Sequence, residues 1–159
     1  MIVEAEHPDT GEKIKVDIPN LTEEKLRDLL NEHATDEQVN QYIDRLPVGA
    51  EVKAIIAKLS KMTIKIGKAT IKLGKRLLEI AIYLVNSYKK VTFYMILAAL
   101  LVLVISMIPF LGPILGAYLA PFILTLGLAK GVYEELKTSE PELVKDMGEQ
   151  AKVFNALTA

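Results

Sequence analysis

Apolar and polar positions follow several different rhythms along this chain. In residues 1–18 they alternate in two bursts, Met1-Ile2-Val3-Glu4-Ala5 and Lys13-Ile14-Lys15-Val16-Asp17-Ile18. Alternation places Val3 and Ala5 on one face with Ile14, Val16 and Ile18 opposite, and the intervening HPDTG suits a turn, so a β-hairpin is expected. From Thr22 the spacing becomes helical. Thr22 stands before Glu23 and Glu24, and Leu26, Leu29 and Leu30 form a stripe. Thr35 and Gln38 have the spacing of a capping box, and Val39, Tyr42, Ile43 and Leu46 form the next stripe. Pro47 and Gly49 break the pattern, so residues 1–49 read as a small α+β head.

Residues 50–90 carry a near-repeat, KMTIKIG (61–67) followed by KATIKLG (68–74). On a helical wheel Lys58, Lys61, Lys65, Lys68, Lys72, Lys75 and Arg76 share an arc of about 100°, and most of the remaining circumference is apolar. This pattern predicts one long cationic amphipathic helix over 50–90, with the seven cations facing anionic lipid headgroups. Gly67 and Gly74 fall on a strip of small residues that suits close helix packing. The competing reading is β structure, because TIKIG and TIKLG also alternate and each glycine costs a helix about 0.5–1 kcal/mol. Helix is preferred because the flanking stretches continue the same wheel without a break.

Residues 91–129 contain no Asp, Glu, Lys, Arg or His. A run of that length is nearly twice the roughly 20 residues that cross a hydrocarbon layer of about 30 Å. Its middle, IPFLGP, carries Pro109, Gly112 and Pro113, which predict a turn at 109–113 between arms 91–108 and 114–129. Gly116, Ala120, Gly127 and Gly131 supply small residues for helix packing, and Pro121 predicts a kink. After Lys130 the chain becomes amphipathic again. Ser139 opens a last helix whose apolar side is Leu143, Val144, Met147, Ala151, Phe154 and Leu157. The expected fold is therefore mostly α: an apolar helical hairpin in the membrane, preceded by the cationic helix and the α+β head, and followed by an amphipathic tail over 130–159.

The formal net charge of −1 hides a sorting of charge into blocks. Residues 1–50 hold twelve acids against five bases, and residues 51–90 hold ten bases against two acids. An acidic head beside a basic segment suggests attraction within one chain or between subunits. Lys and Arg at the edges of the apolar run, with an even number of crossings, predict a protein of a bacterial-type inner membrane or another cytoplasm-facing membrane, with both termini cytoplasmic. The first residues have no basic start and no apolar core of signal-peptide length.

Enzyme chemistry finds no foothold in the sequence. Cysteine is absent, and His7 and His33 lie in unrelated segments without a ligand-spaced companion. GKATIKLGK is not a phosphate loop, and no aromatic residues interleave with the lysines as nucleic-acid binding would favour. No metal, cofactor or nucleic acid is expected. The layout of residues 51–130, a hydrophobic hairpin beside cationic helices, resembles that of pore-forming bacterial toxins, and this resemblance implies membrane insertion.

Three functions follow as expectations. In the first, a non-enzymatic membrane protein inserts its hairpin into an anionic bilayer and forms homo-oligomers that permeabilise or reshape it. In the second, the chain is a membrane-anchored accessory or scaffold subunit whose acidic head binds a protein partner. The third is a soluble-to-membrane switch, with the apolar run sheathed by residues 50–88 and 139–157.

Overall fold

The computed structural model describes residues 1–7, 10–31, 34–112 and 123–158, with the backbone alone for 123–130. Strands β1 (Ile2–Glu6) and β2 (Lys13–Asp17) form an antiparallel hairpin in which Val3 faces Val16 and Ala5 faces Ile14. Helix α1 (Glu23–Leu30) starts at Thr22, whose hydroxyl accepts the Lys25 N–H at 3.4 Å. Helix α2 (Asp36–Asp44) starts in a complete capping box, Thr35 with Gln38 at 3.1 and 2.9 Å. These short polar side chains occupy the first orphan N–H groups of each helix and fix where it begins.

Between residues 50 and 90 the structure departs from the expected single helix. Helix α3 (Ala50–Ser60) ends at Lys61, and two short strands follow, β3 (Ile64–Ile66) and β4 (Ala69–Ile71). Only then does helix α4 (Leu73–Ser87) begin. The two-residue turn Gly67-Lys68 has φ of 61° at Gly67, a positive value that favours glycine there. β3 pairs antiparallel with β1, which gives the sheet order β2-β1-β3-β4. A two-stranded hairpin is marginal alone. The added strands satisfy the second edge of β1 and bury Ile64, Ile66 and Ile71 beside Val3 and Ala5. The long cationic helix is thus corrected to helix, hairpin, helix.

Thr92 caps helix α5 (Phe93–Met107), accepting the Met95 N–H at 3.2 Å. Its 15 residues rise about 22 Å, short of the roughly 30 Å of a hydrocarbon layer. A 3₁₀ turn (Pro109–Leu111) ends this arm. Helix α6 (Ile123–Ser139) carries Lys130 near its middle and Glu134, Glu135 and Lys137 in its second half. Among the described residues no helix is long and apolar enough to cross a membrane. The transmembrane hairpin and the membrane localisation with both termini cytoplasmic are corrected accordingly.

The physical reason lies in what covers α5. A helix that is apolar all round suits either lipid or the centre of a core, and here protein provides the cover. Helix α4 contributes Leu77, Leu78, Ala81 and Leu84, and helix α7 (Pro141–Ala151) contributes Leu143, Met147 and Ala151. Phe154 and Leu157 follow from a terminal 3₁₀ segment (Lys152–Leu157). All are buried in one continuous core with Ile96, Leu97, Leu100 and Val104 of α5. The rings of Tyr42 and Phe93, with centroids 5.4 Å apart, join α2 to the same core.

The small residues singled out for packing divide among several roles. A Cβ at Gly74 would stand 1.7 Å from the Leu59 carbonyl oxygen, so this glycine lets α3 and α4 approach closely. A Cβ at Gly67 or Gly131 would meet nothing within 4 Å. Gly127 lies in α6, and Pro109 and Gly112 lie in and after the 3₁₀ turn. Pro113, Gly116, Ala120 and Pro121 lie outside the described residues, as does His33.

Candidate functional site

The seven cations of the expected lipid-binding stripe are distributed over α3, the β3–β4 hairpin and the start of α4. Lys58 lies in the last turn of α3, Lys61 caps it, Lys65 projects from the outer face of β3, and Lys68 occupies the hairpin turn. All four are exposed. Lys72 precedes α4 and turns toward α2, with its Nζ 3.5 Å from Asp36 Oδ2. Lys75 and Arg76 are only 3% and 6% exposed, in the first turn of α4. The acidic and basic blocks therefore meet inside one chain.

Asp36 receives Lys75 Nζ at 3.0 Å on its other oxygen. The hydrogen bond and charge of Lys75, helped by Lys72, hold its carboxyl below the ordinary value of 3.8. Arg76 works differently. Its Nη2 donates to the carbonyls of Asp28 and Asn31, the latter at 2.6 Å, and its Nη1 lies 3.5 Å from Glu79 Oε2. A guanidinium placed at the C-terminal end of α1 satisfies the orphan carbonyls there and opposes the helix dipole. Burial draws Arg76 below its usual pKa, and the charges of Glu79 and Asp28 act in the opposite sense. The guanidinium stays charged.

Beside Arg76 opens a cleft of about 470 Å³ between α1, α4 and the C-terminal segment. Asp28 and Asn31 form one wall, Glu79, Ile80 and Tyr83 the floor, and Glu149 and Lys152 the far side. Glu149 and Lys152 pair at 2.9 Å. Tyr83 is 47% exposed, and Leu30, which lines a smaller adjoining pocket with Asn31, Arg76 and Glu79, is 46% exposed. Nearby, the Tyr88 hydroxyl shares its single proton between Asp146 Oδ2 and the Glu142 carbonyl, each at 3.2 Å. Burial and the adjacent Asp146 carboxylate push the Tyr88 hydroxyl pKa up, so it remains a donor at neutral pH.

The cleft offers charge and apolar surface. Among the described residues neither Ser, Thr nor Cys lines it, and no group of three His, Cys, Asp or Glu side chains is placed to hold a metal. His7 lies away from it in the β1–β2 turn, accepting the Thr10 N–H at 3.3 Å. Glu79 and Tyr83 continue the polar stripe of α4 in the sequence, but Asp28 and Glu149 come from distant segments. Only the tertiary fold brings these groups to Arg76. No protein-family model, no curated protein and no solved structure matches this chain.

Proposed function

We propose that this chain is a non-enzymatic accessory module that binds a basic segment of a protein partner, with a cationic side chain of that segment entering the cleft beside Arg76. The observation that carries the reading is the charge arrangement of the cleft. Asp28, Glu79 and Glu149 bring three carboxylates against two cations. Glu79 and Glu149 pair with Arg76 and Lys152, Arg76 is also engaged with the α1 carbonyls, and Asp28 supplies the carboxylate that faces an incoming cation. Glu24 lies one helical turn before Asp28 on the exposed side of α1 and extends the acidic surface. Leu30 and Tyr83 flank the cleft with exposed apolar surface, which suits a polypeptide segment better than an isolated cation.

Titration of the full chain with oligolysine and oligoglutamate peptides of equal length tests the reading. Oligolysine binds, and its affinity falls as salt rises because the outer contacts are screened. An exposed charge pair is worth about 1 kcal/mol or less, so Asp28→Asn weakens oligolysine several-fold without abolishing binding. Absence of oligolysine binding, or preference for oligoglutamate, overturns the proposal. The second result would transfer the role to the exposed lysines of α3 and the β3–β4 hairpin.

A further inference from the structure

Among the described residues the sheet ends on β2, whose outer edge pairs with no other strand and carries incompletely covered apolar side chains. Met1 and Ile18 exchange both backbone hydrogen bonds, at 3.0 and 2.8 Å. Bonded and non-bonded pairs alternate along an antiparallel ladder. Ile14 and Val16 therefore turn their N–H and C=O groups toward β1, and Lys13, Lys15 and Asp17 aim theirs at the open edge. On the inner face Ile14 and Val16 are only half-buried, whereas Val3, Ala5, Ile64 and Ile66 on the neighbouring strands are buried. Such an edge is a template for one more strand.

We infer that the strand it accepts is β2 of a second copy of this chain, antiparallel about a two-fold axis at Lys15. The segment Lys13-Ile14-Lys15-Val16-Asp17 is complementary to itself in that register. Lys13 faces Asp17 of the partner subunit, and Ile14 faces Val16 of the partner subunit, each pair occurring twice by symmetry. Lys15 faces Lys15 of the partner subunit, and Glu4, opposite Lys15 on its own β1 and 3.4 Å from Lys13 Nζ, lies between these two cations and offsets part of the repulsion. The alternatives are worse. A one-residue slip sets Lys15 against Ile14 or Val16 and breaks the face of the sheet. A two-residue slip toward the turn sets Lys13 against Lys15 of the partner subunit twice. The opposite two-residue slip keeps only residues 15–17 of each strand paired. The isologous pairing joins the two four-stranded sheets into one and covers Ile14 and Val16.

Light scattering after gel filtration of the full chain, over a range of concentrations, reads the association. The wild type runs at twice the mass of one chain. Lys15→Pro removes an N–H that points to the open edge and costs no bond to β1, so this variant runs as a monomer with an unchanged far-ultraviolet spectrum. Lys13→Asp and Asp17→Lys each create two like-charge pairs and weaken the dimer roughly tenfold. The double variant Lys13→Asp/Asp17→Lys restores the pairs in reversed order and regains the dimer. A wild type that is monomeric throughout, a folded Lys15→Pro that still dimerises, or a double variant weaker than both singles overturns the inference. If Lys15→Pro does not fold, the charge-exchange set decides alone.

Discussion

An added methyl group at Gly74 would stand 1.7 Å from the Leu59 carbonyl oxygen and 3.2 Å from Met62 Cβ. The obstruction on the Leu59 side is backbone at the end of α3, and backbone cannot rotate away as a side chain can. Gly74 N–H also donates to the Met62 carbonyl at 3.0 Å, so a shift to relieve the clash strains that bond as well. Overpacking of this kind costs about 1–3 kcal/mol. Gly67 is the natural control, because its methyl group would enter open space and its only penalty is the φ of 61°. That conformation costs an L residue about 1–2 kcal/mol. Urea unfolding of Gly74→Ala and Gly67→Ala separates the two mechanisms. Gly67→Ala regains most of its loss as Gly67→Asn, since asparagine tolerates the left-handed region, whereas Gly74→Asn is worse than Gly74→Ala. Equal recovery at both positions would contradict the close approach of α3 and α4.

Charge ties elements together at the junction of α2 and α4, and this contact predicts a pH dependence. Asp36 has its pKa lowered in the fold, chiefly by Lys75 and then by Lys72. A lowered carboxylate contributes stability that is fully present above its unfolded value near 3.8 and is lost as pH falls through the folded value. The position of Asp36 in the first turn of α2 acts in the same sense through the helix dipole. Asp36→Asn should therefore lower the unfolding midpoint at neutral pH, and the difference from wild type should close below about pH 4. A difference that persists unchanged into acid would assign the effect to packing. The helix starts were legible in the sequence, since Thr22 and Thr35 act locally. The β3–β4 hairpin was not, because TIKIG and TIKLG satisfy both a strand period and the helical wheel. What decides between them is the vacant edge of β1, some sixty residues earlier in the chain, together with a turn that uses Gly67. The inward turn of Lys75 and Arg76 was hidden for the same reason: a wheel shows which residues share a face, and only the fold shows what that face meets.

At the scale of the whole molecule the decisive quantity is how the apolar surface of α5 is covered. Periodicity cannot distinguish a core helix from a lipid-facing one when every side is apolar. The covering elements are separate segments, α4 before the run and α6, α7 and the terminal 3₁₀ segment after it. Helices α4 and α7 each have an amphipathic pattern that reads equally well as a surface helix. Leu100 on α5 and Leu143 on α7 are both fully buried, in the same core. If protein is the cover, truncating either side of the contact opens a cavity. Leu100→Ala and Leu143→Ala should each then lower stability by about 2–5 kcal/mol in aqueous buffer. Leu30, which is 46% exposed, sets the baseline: Leu30→Ala should stay within about 0.5 kcal/mol. The double variant adds a further criterion. Residues that share one cavity couple, so its loss should differ from the sum of the singles by about 0.5 kcal/mol or more. If α5 instead faced lipid, Leu143→Ala would be costly while Leu100→Ala would cost no more than Leu30→Ala, and the two losses would add without coupling. Chemical unfolding of the three single variants and the double therefore tests whether α5 is the centre of this core.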